Sequence, residues 1–283
     1  MKDEIRHKVM EELQLDPLPE AALRVQNLVD QPDTTAKELS SVIATDSTLT
    51  ALLLKHANSP LYGFSKKIGT VALAVVVLGF DTVREIVMST AAMNTVSTNF
   101  TGKNVSTRRF WSHSLAVASG ARVIAQHWRT SLPGEAFVAG LMHDLGRLVL
   151  ATEWPAAYKA VLSRSYEKGI PTHVAEKKVM EVDHAEVAGW MGERWNLPEK
   201  ILLSIREHHN LDVVRDNSAV CTIYLANGLA HREGFGHSKR EPAPRFDEQA
   251  LTLVPGFDER SLAKEMREAY FKAESFLEIV SGS

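Results

Sequence analysis

Apolar residues along the 283-residue chain return at helical spacing, and no stretch sustains the period-two alternation of a half-buried strand. "PEAALRVQNLVDQ" (19–31) repeats apolar positions behind Pro19, which suits a first helical turn. "TTAKELSSVIATD" (34–46) offers Thr34 or Thr35 as an N-cap with Glu38 near the reciprocal position. "DSTLTALLLKHANSPLYG" (46–63) reads as a helix begun by Asp46 and stopped by Asn58, Ser59 and Pro60. "VALAVVVLG" (71–79) clusters β-branched valines as a buried strand would, but no second strand exists for it to pair with, so it reads as helix. Helical patterning continues through 80–96. It then recurs near 107–129, 133–150, 153–168, 171–180, 184–195, 198–209, 214–232 and 258–279. Pro133, Pro155, Pro171 and Pro198 each fall near one of these starts, where proline is tolerated.

The pattern predicts an all-α, multi-helix bundle of two packed helical halves. The polar break "STNFTGKNVST" (97–107) separates an N-terminal helical subdomain, 1–100, from a second one, 101–232. The loop-like "EGFGHSKREPAPRFDEQ" (233–249) opens a C-terminal extension, 233–283. Met88, Met93 and the valine run read as core, Trp190 and Trp195 as packing, and Arg108 and Arg109 as a solvated helix start.

Composition narrows the function. Hydrophobic residues make up 45% and charged residues 24%, as in ordinary globular proteins. A net charge of −3, with basic residues scattered, leaves no stripe to track a phosphate backbone, so no direct nucleic-acid binding is expected. Cys221 stands alone, which excludes an internal disulfide and fits a reducing cytosol. The most apolar run, 71–80, is about half of what a bilayer requires, and the charged start lacks the apolar middle of a secretory signal. A cytoplasmic protein with no membrane span is the expectation. Nine of the eleven histidines lie in the second half, and that asymmetry redirects the reading.

"AFVAGLMHDLGRLVL" (136–150) sets His143 and Asp144 in the middle of an apolar helix, where both are costly to bury without partners. His113, His184, His208 and His209 also sit on or at the ends of predicted helices. Adjacent helical residues point about 100° apart, so a His–Asp or His–His pair can address one cavity. Imidazole nitrogens with a carboxylate form the ligand set of Zn, Mn, Ni and non-haem Fe sites. A carboxylate such as Asp144 could bridge two ions, which is the arrangement of metal-assisted phosphoester hydrolysis. Singly, each residue has a plainer reading. His208 and His209 suit a helix C-terminus, His184 lies between Asp183 and Glu186 at a helix start, and His113 packs beside Trp111.

Order and spacing join them. A His, then His-Asp thirty residues on, then His, then His-His resembles the ligand series of the HD superfamily of metal-dependent phosphohydrolases. "VDHAEVAGWMGERWNLPEKILLSIREHHN" (182–210) resembles that superfamily's approach to its paired histidines. "IATDSTLTALLLKHANSPLYG" and "TVALAVVVLGFDTVREIV" are similar to the HDOD domain family, and the likeness runs from about residue 15 to about 232. The resemblance implies a bacterial signalling module, related in fold to HD-GYP cyclic-dinucleotide phosphodiesterases and working with a signalling protein partner. It also implies a metal set of His113, His143, Asp144, His184, His208 and His209 holding one or two divalent ions (Fe, Mn, Ni or Zn). The implied set also includes Asn227, which stands where the enzymes carry a late aspartate and whose amide oxygen can coordinate a metal. That neutral amide removes a negative charge, so a single ion or a weakly held pair is implied. Arg147 replaces a lysine of the HD-GYP enzymes, and "HHNLDVVRDN" (208–217) replaces their GYP signature. A non-catalytic module is the favoured expectation. The alternative is a phosphohydrolase acting on a nucleotide or other phosphoester, with Asp144 and Arg147 as its catalytic residues. In that case Arg147 would contact a phosphate-containing small ligand.

Overall fold

The computed structural model describes residues 1–59, 67–100, 105–235 and 245–281. Most of the 233–249 loop, part of the 97–107 break and Pro60 of the expected helix stop lie outside the described residues. Among those described, every regular element is a helix and no strand occurs, so the fold is all-α. The chain divides into two compact units, residues 16–97 with 271–283, and residues 1–15 with 98–270.

The 16–97 unit holds α2 (Glu20–Val29), α3 (Ala36–Ile43), α4 (Ser47–Ala57), α5 (Val71–Leu78) and most of α6 (Phe80–Asn99), after α1 (Lys2–His7) of the other unit. Its helix starts follow the sequence chemistry. Thr35 and Glu38 complete a capping box on α3, Asp46 accepts from the Thr48 and Leu49 amides, and Thr70 caps α5. Asn58 ends α4 by donating its amide to the Leu54 and Ile68 carbonyls while accepting from the Ile68 N–H. Leu39, Ile43, Leu53, Ala74 and Val75 are buried. The valine run is only partly core. Val75 is buried, but Val76 is 66% exposed, because a single short helix that is apolar all round can bury only the face that meets its neighbours. Met88 and Met93 are buried as expected. Arg84 is buried, its guanidinium shared between Asp81 at 2.6 Å and Asp30.

The larger unit is organised on α7 (Thr107–Trp128), with α8 (Pro133–Met142) and α15 (Ser218–Arg232) against it. Small residues allow the approach. A Cβ on Gly140 would stand 2.8 Å from the Ala118 Cα, so α8 meets the α7 backbone directly. The unit continues with α9 (Leu145–Glu153), α10 (Pro155–Lys168), α11 (Thr172–Met180), α12 (His184–Arg194), α13 (Glu199–Arg206), α14 (Leu211–Asp216), α16 (Glu248–Leu251) and α17 (Glu259–Ser281), which runs on past residue 270. Trp190 and Trp195 are buried. Cys221 is also buried, and burial pushes its thiol up to about 12. The first residues, α1 and a π-helical turn at Lys8–Glu12, belong to this unit, where Arg194 donates to the Val9 and Leu13 carbonyls at 2.7 and 2.9 Å.

Three predicted helices differ from those observed. The 133–150 helix is two, α8 and α9, broken at His143–Asp144. The 198–209 helix ends at Arg206, so His208 and His209 lie beyond it. The 214–232 helix is interrupted at Asn217, whose side chain accepts from the Ala219 and Val220 amides and restarts the chain as α15. No described helix is long and apolar enough to cross a membrane.

His56, on α4, gives the fold a pH dependence. Its burial, with Lys55 beside it, lowers the imidazole to about 4. The unfolded chain therefore binds the proton first, and the contribution present above pH ~6.5 is lost as the pH falls toward 4. Denaturant melts of wild type and His56→Gln should differ in their pH slope over that window, the variant being flatter.

Candidate metal centre

Asp144 lies at the α8–α9 junction and is fully buried. Its Oδ1 is 2.9 Å from His184 Nε2 and 3.4 Å from His143 Nε2, and its Oδ2 is 3.1 Å from Arg147 Nε and 3.6 Å from His113 Nε2. Breaking the helix there allows the histidine and the aspartate to face one space together. Burial pushes the Asp144 carboxyl up, but Arg147, His143 and His184 outweigh it and hold it well below the usual range.

The imidazoles are held from behind. Nδ1 of His113 bonds the Phe235 carbonyl at 2.8 Å, that of His143 the Gly140 carbonyl at 2.7 Å, and that of His208 the Ile205 carbonyl at 2.7 Å. Nδ1 of His184 meets Glu176 Oε2 at 2.6 Å. With Nδ1 engaged in each ring, Nε2 is left to face inward, the orientation metal-binding histidines take. His208 Nε2 is buried and has no hydrogen-bond partner. His209 Nε2 lies 3.0 Å from His184 Nε2.

Two donor groups result, His113–His143–Asp144 and His184–His208–His209, each with one donor atom per residue within 4.8 Å of the others. The donor chemistry fits a first-row divalent ion. Burial, then the neighbouring imidazoles, holds His208 and His209 well below the ordinary histidine range, so both rings are neutral as ligands must be. His184 behaves otherwise. Burial lowers it, but Glu176 and Asp144 raise it to about 10, so any ion bound through its Nε2 would have to displace a proton.

All six histidine and aspartate positions named from the sequence thus converge, and Arg147 joins them through Asp144. Asn227 is buried on α15 with its Oδ1 lacking a hydrogen-bond partner. One helical turn on, the His231 ring lies 5.0 Å from that of His113, so Asn227 shares the face of α15 turned toward His113. Sequence reasoning missed Glu176, His173 and His231. His173 stacks on His209 at 3.9 Å and 13°. Glu176 could have been found as the acidic residue eight positions before His184, although nothing local marks it as buried.

Gly146 sets the closeness of α9 and α12. A Cβ there would stand 2.1 Å from the His184 carbonyl oxygen. Gly146→Ala is expected to push His184 away from Asp144 and to destabilise the fold by about 1–3 kcal/mol, read by thermal or denaturant unfolding.

The chain belongs to the HDOD domain family, whose profile matches residues 15–211. An uncharacterized protein of Treponema pallidum is 29% identical over 231 residues, which is 81% of this chain; the chain spans 44% of that curated relative's length. Among solved structures, an HDOD domain protein of unknown function from Geobacter sulfurreducens is 25% identical with a TM-score of 0.73, the match covering 98% of this chain and 95% of that one. A candidate phosphohydrolase from Shewanella amazonensis has the same fold at 23% identity and a TM-score of 0.73, over 96% of this chain and 97% of its own. A candidate signal transduction protein from Marinobacter aquaeolei shares the fold at 24% identity and a TM-score of 0.75, over 99% of this chain and 65% of its own.

Proposed function

We propose that this chain is a cytosolic regulatory module of bacterial signalling, without hydrolytic activity, whose His/Asp cleft holds a single divalent transition-metal ion as a structural element. The observation that carries the reading is the Arg147 guanidinium, 3.1 Å from Oδ2 of Asp144, the one carboxylate in either donor group. A fixed cation on that carboxylate removes the charge a second dication would need, because buried charges require compensation. The N-terminal helices of 1–100 offer a surface to a protein partner, and the His/Asp-bearing second half acts as a metal-stabilised scaffold. The Marinobacter relative's description as a signal transduction candidate agrees with this role.

One observation favours a second reading, a metal-dependent phosphohydrolase acting on a nucleotide or other phosphoester. The two donor groups adjoin, with His184 Nε2 of one at 2.9 Å from Asp144 Oδ1 of the other. Bound divalent ions would supply Lewis-acid polarisation of a phosphoryl oxygen. In that case Asp144 would serve both groups, and Arg147 would have to leave Asp144 to reach a phosphate.

Metal analysis of the purified chain, followed by a phosphatase and phosphodiesterase panel with added Mn²⁺ or Fe²⁺, separates the two. The expected result is about one equivalent of Fe, Mn, Ni or Zn and no turnover. Turnover that disappears in a folded Asp144→Asn variant would overturn the signalling-only reading.

A further inference from the structure

Two of the three rings in the second donor group, His184 and His209, are backed by residues of one helix that the ligand series does not include. On α11, His173 and Glu176 are three positions apart and so share a face. Glu176 is fully buried, and its Oε2 receives both the backbone N–H of His184 at 2.9 Å and the ring Nδ1 of the same residue at 2.6 Å. A single carboxylate oxygen therefore fixes the start of α12 and the rotation of the ring it carries. His173 lies flat against the ring of His209, with centroids 3.9 Å apart. The remaining ring of the group, His208, is held by the Ile205 carbonyl in the last turn of α13. In the other donor group, the His113 and His143 rings are anchored by the carbonyls of Phe235 and Gly140.

We infer that Glu176, backed by His173 on the same face of α11, is the positioning residue that makes His184–His208–His209 a usable cation site, and so determines whether the cleft can take an ion there. This rests on the metal-holding reading above. Glu176 does not itself belong to either donor group. It acts by presenting Nε2 of His184 to the interior. Removing that support frees the ring to rotate, and second-layer partners of this kind typically carry about 10–100-fold in metal affinity. His173 contributes by restricting His209 and carries less, because stacking constrains a ring more weakly than a hydrogen bond to a charged acceptor does.

The test uses the full chain, freed of metal, with Co²⁺ as the probe. Wild type, Glu176→Gln, Glu176→Asp and His173→Ala are compared by calorimetric titration and by the visible Co²⁺ spectrum, with the melting temperature as a check on folding. Long-range ¹H–¹⁵N spectra of the histidine rings, recorded without metal, read the orientation directly. In Glu176→Gln the His184 ring signals should move while those of His113 and His143 stay, and Co²⁺ affinity should fall about 10–100-fold with an altered spectrum. Glu176→Asp, which keeps the carboxylate, should recover part of both, and should stand in for Glu176→Gln if the latter does not fold. Unmoved His184 signals in folded Glu176→Gln would overturn the inference, and so would unchanged Co²⁺ binding beside a shifted ring. Wild type that binds no Co²⁺ would overturn the metal reading and the cation-site inference with it. In that event the ring spectra still report whether Glu176 orients His184.

Discussion

The burial of one carboxylate governs the larger unit. Asp144 has no access to water, and an isolated carboxylate at such depth costs many kcal/mol, so the fold must bring compensating groups to it. It does so from separate parts of the chain: Arg147 one turn on, His143 beside it, His113 from α7 and His184 from α12. The close contacts of α7 with α8, at Ala118 and Gly140, and of α9 with α12, at Gly146 and His184, are what allow those groups to arrive within hydrogen-bonding or ion-pair range. The helical architecture is in this sense built around a charge.

Much of this was legible in the residues themselves. Capping chemistry at Thr35, Asp46 and Asn58 marked element ends correctly, because it acts over three or four residues and is written in the local string. The convergence of His113, His143, Asp144, His184, His208 and His209 was read from spacing and resemblance together. The helix break at His143–Asp144 was not, since "GLMHDLGRLVL" has unbroken helical periodicity and the interruption is imposed by partners far along the chain. Glu176 was invisible for a related reason. A glutamate between a helix start and a pair of lysines reads as surface until α12 is folded over it. The valine run erred in the other direction, because periodicity cannot say which face of an apolar helix lacks a neighbour.

Charge also divides the site's plausible roles. Glu176 and Asp144 both face His184, and Arg147 faces Asp144, so groups of the protein itself already lie against both carboxylates. Enzymes that clamp two ions keep more negative charge directed at the ions. With groups of the protein already against both carboxylates, the cleft offers less uncompensated negative charge to a pair of dications than to one.

The bond between His113 Nδ1 and the Phe235 carbonyl spans 122 positions of sequence and has a practical consequence for where this domain ends. The family profile stops at residue 211, before α15 begins. A fragment cut at that limit would lose Asn227, His231 and the anchor of His113, so it would keep every recognised histidine of the series yet leave one of them to swing. The functional unit is longer than its sequence signature, and excised versions should extend past residue 235.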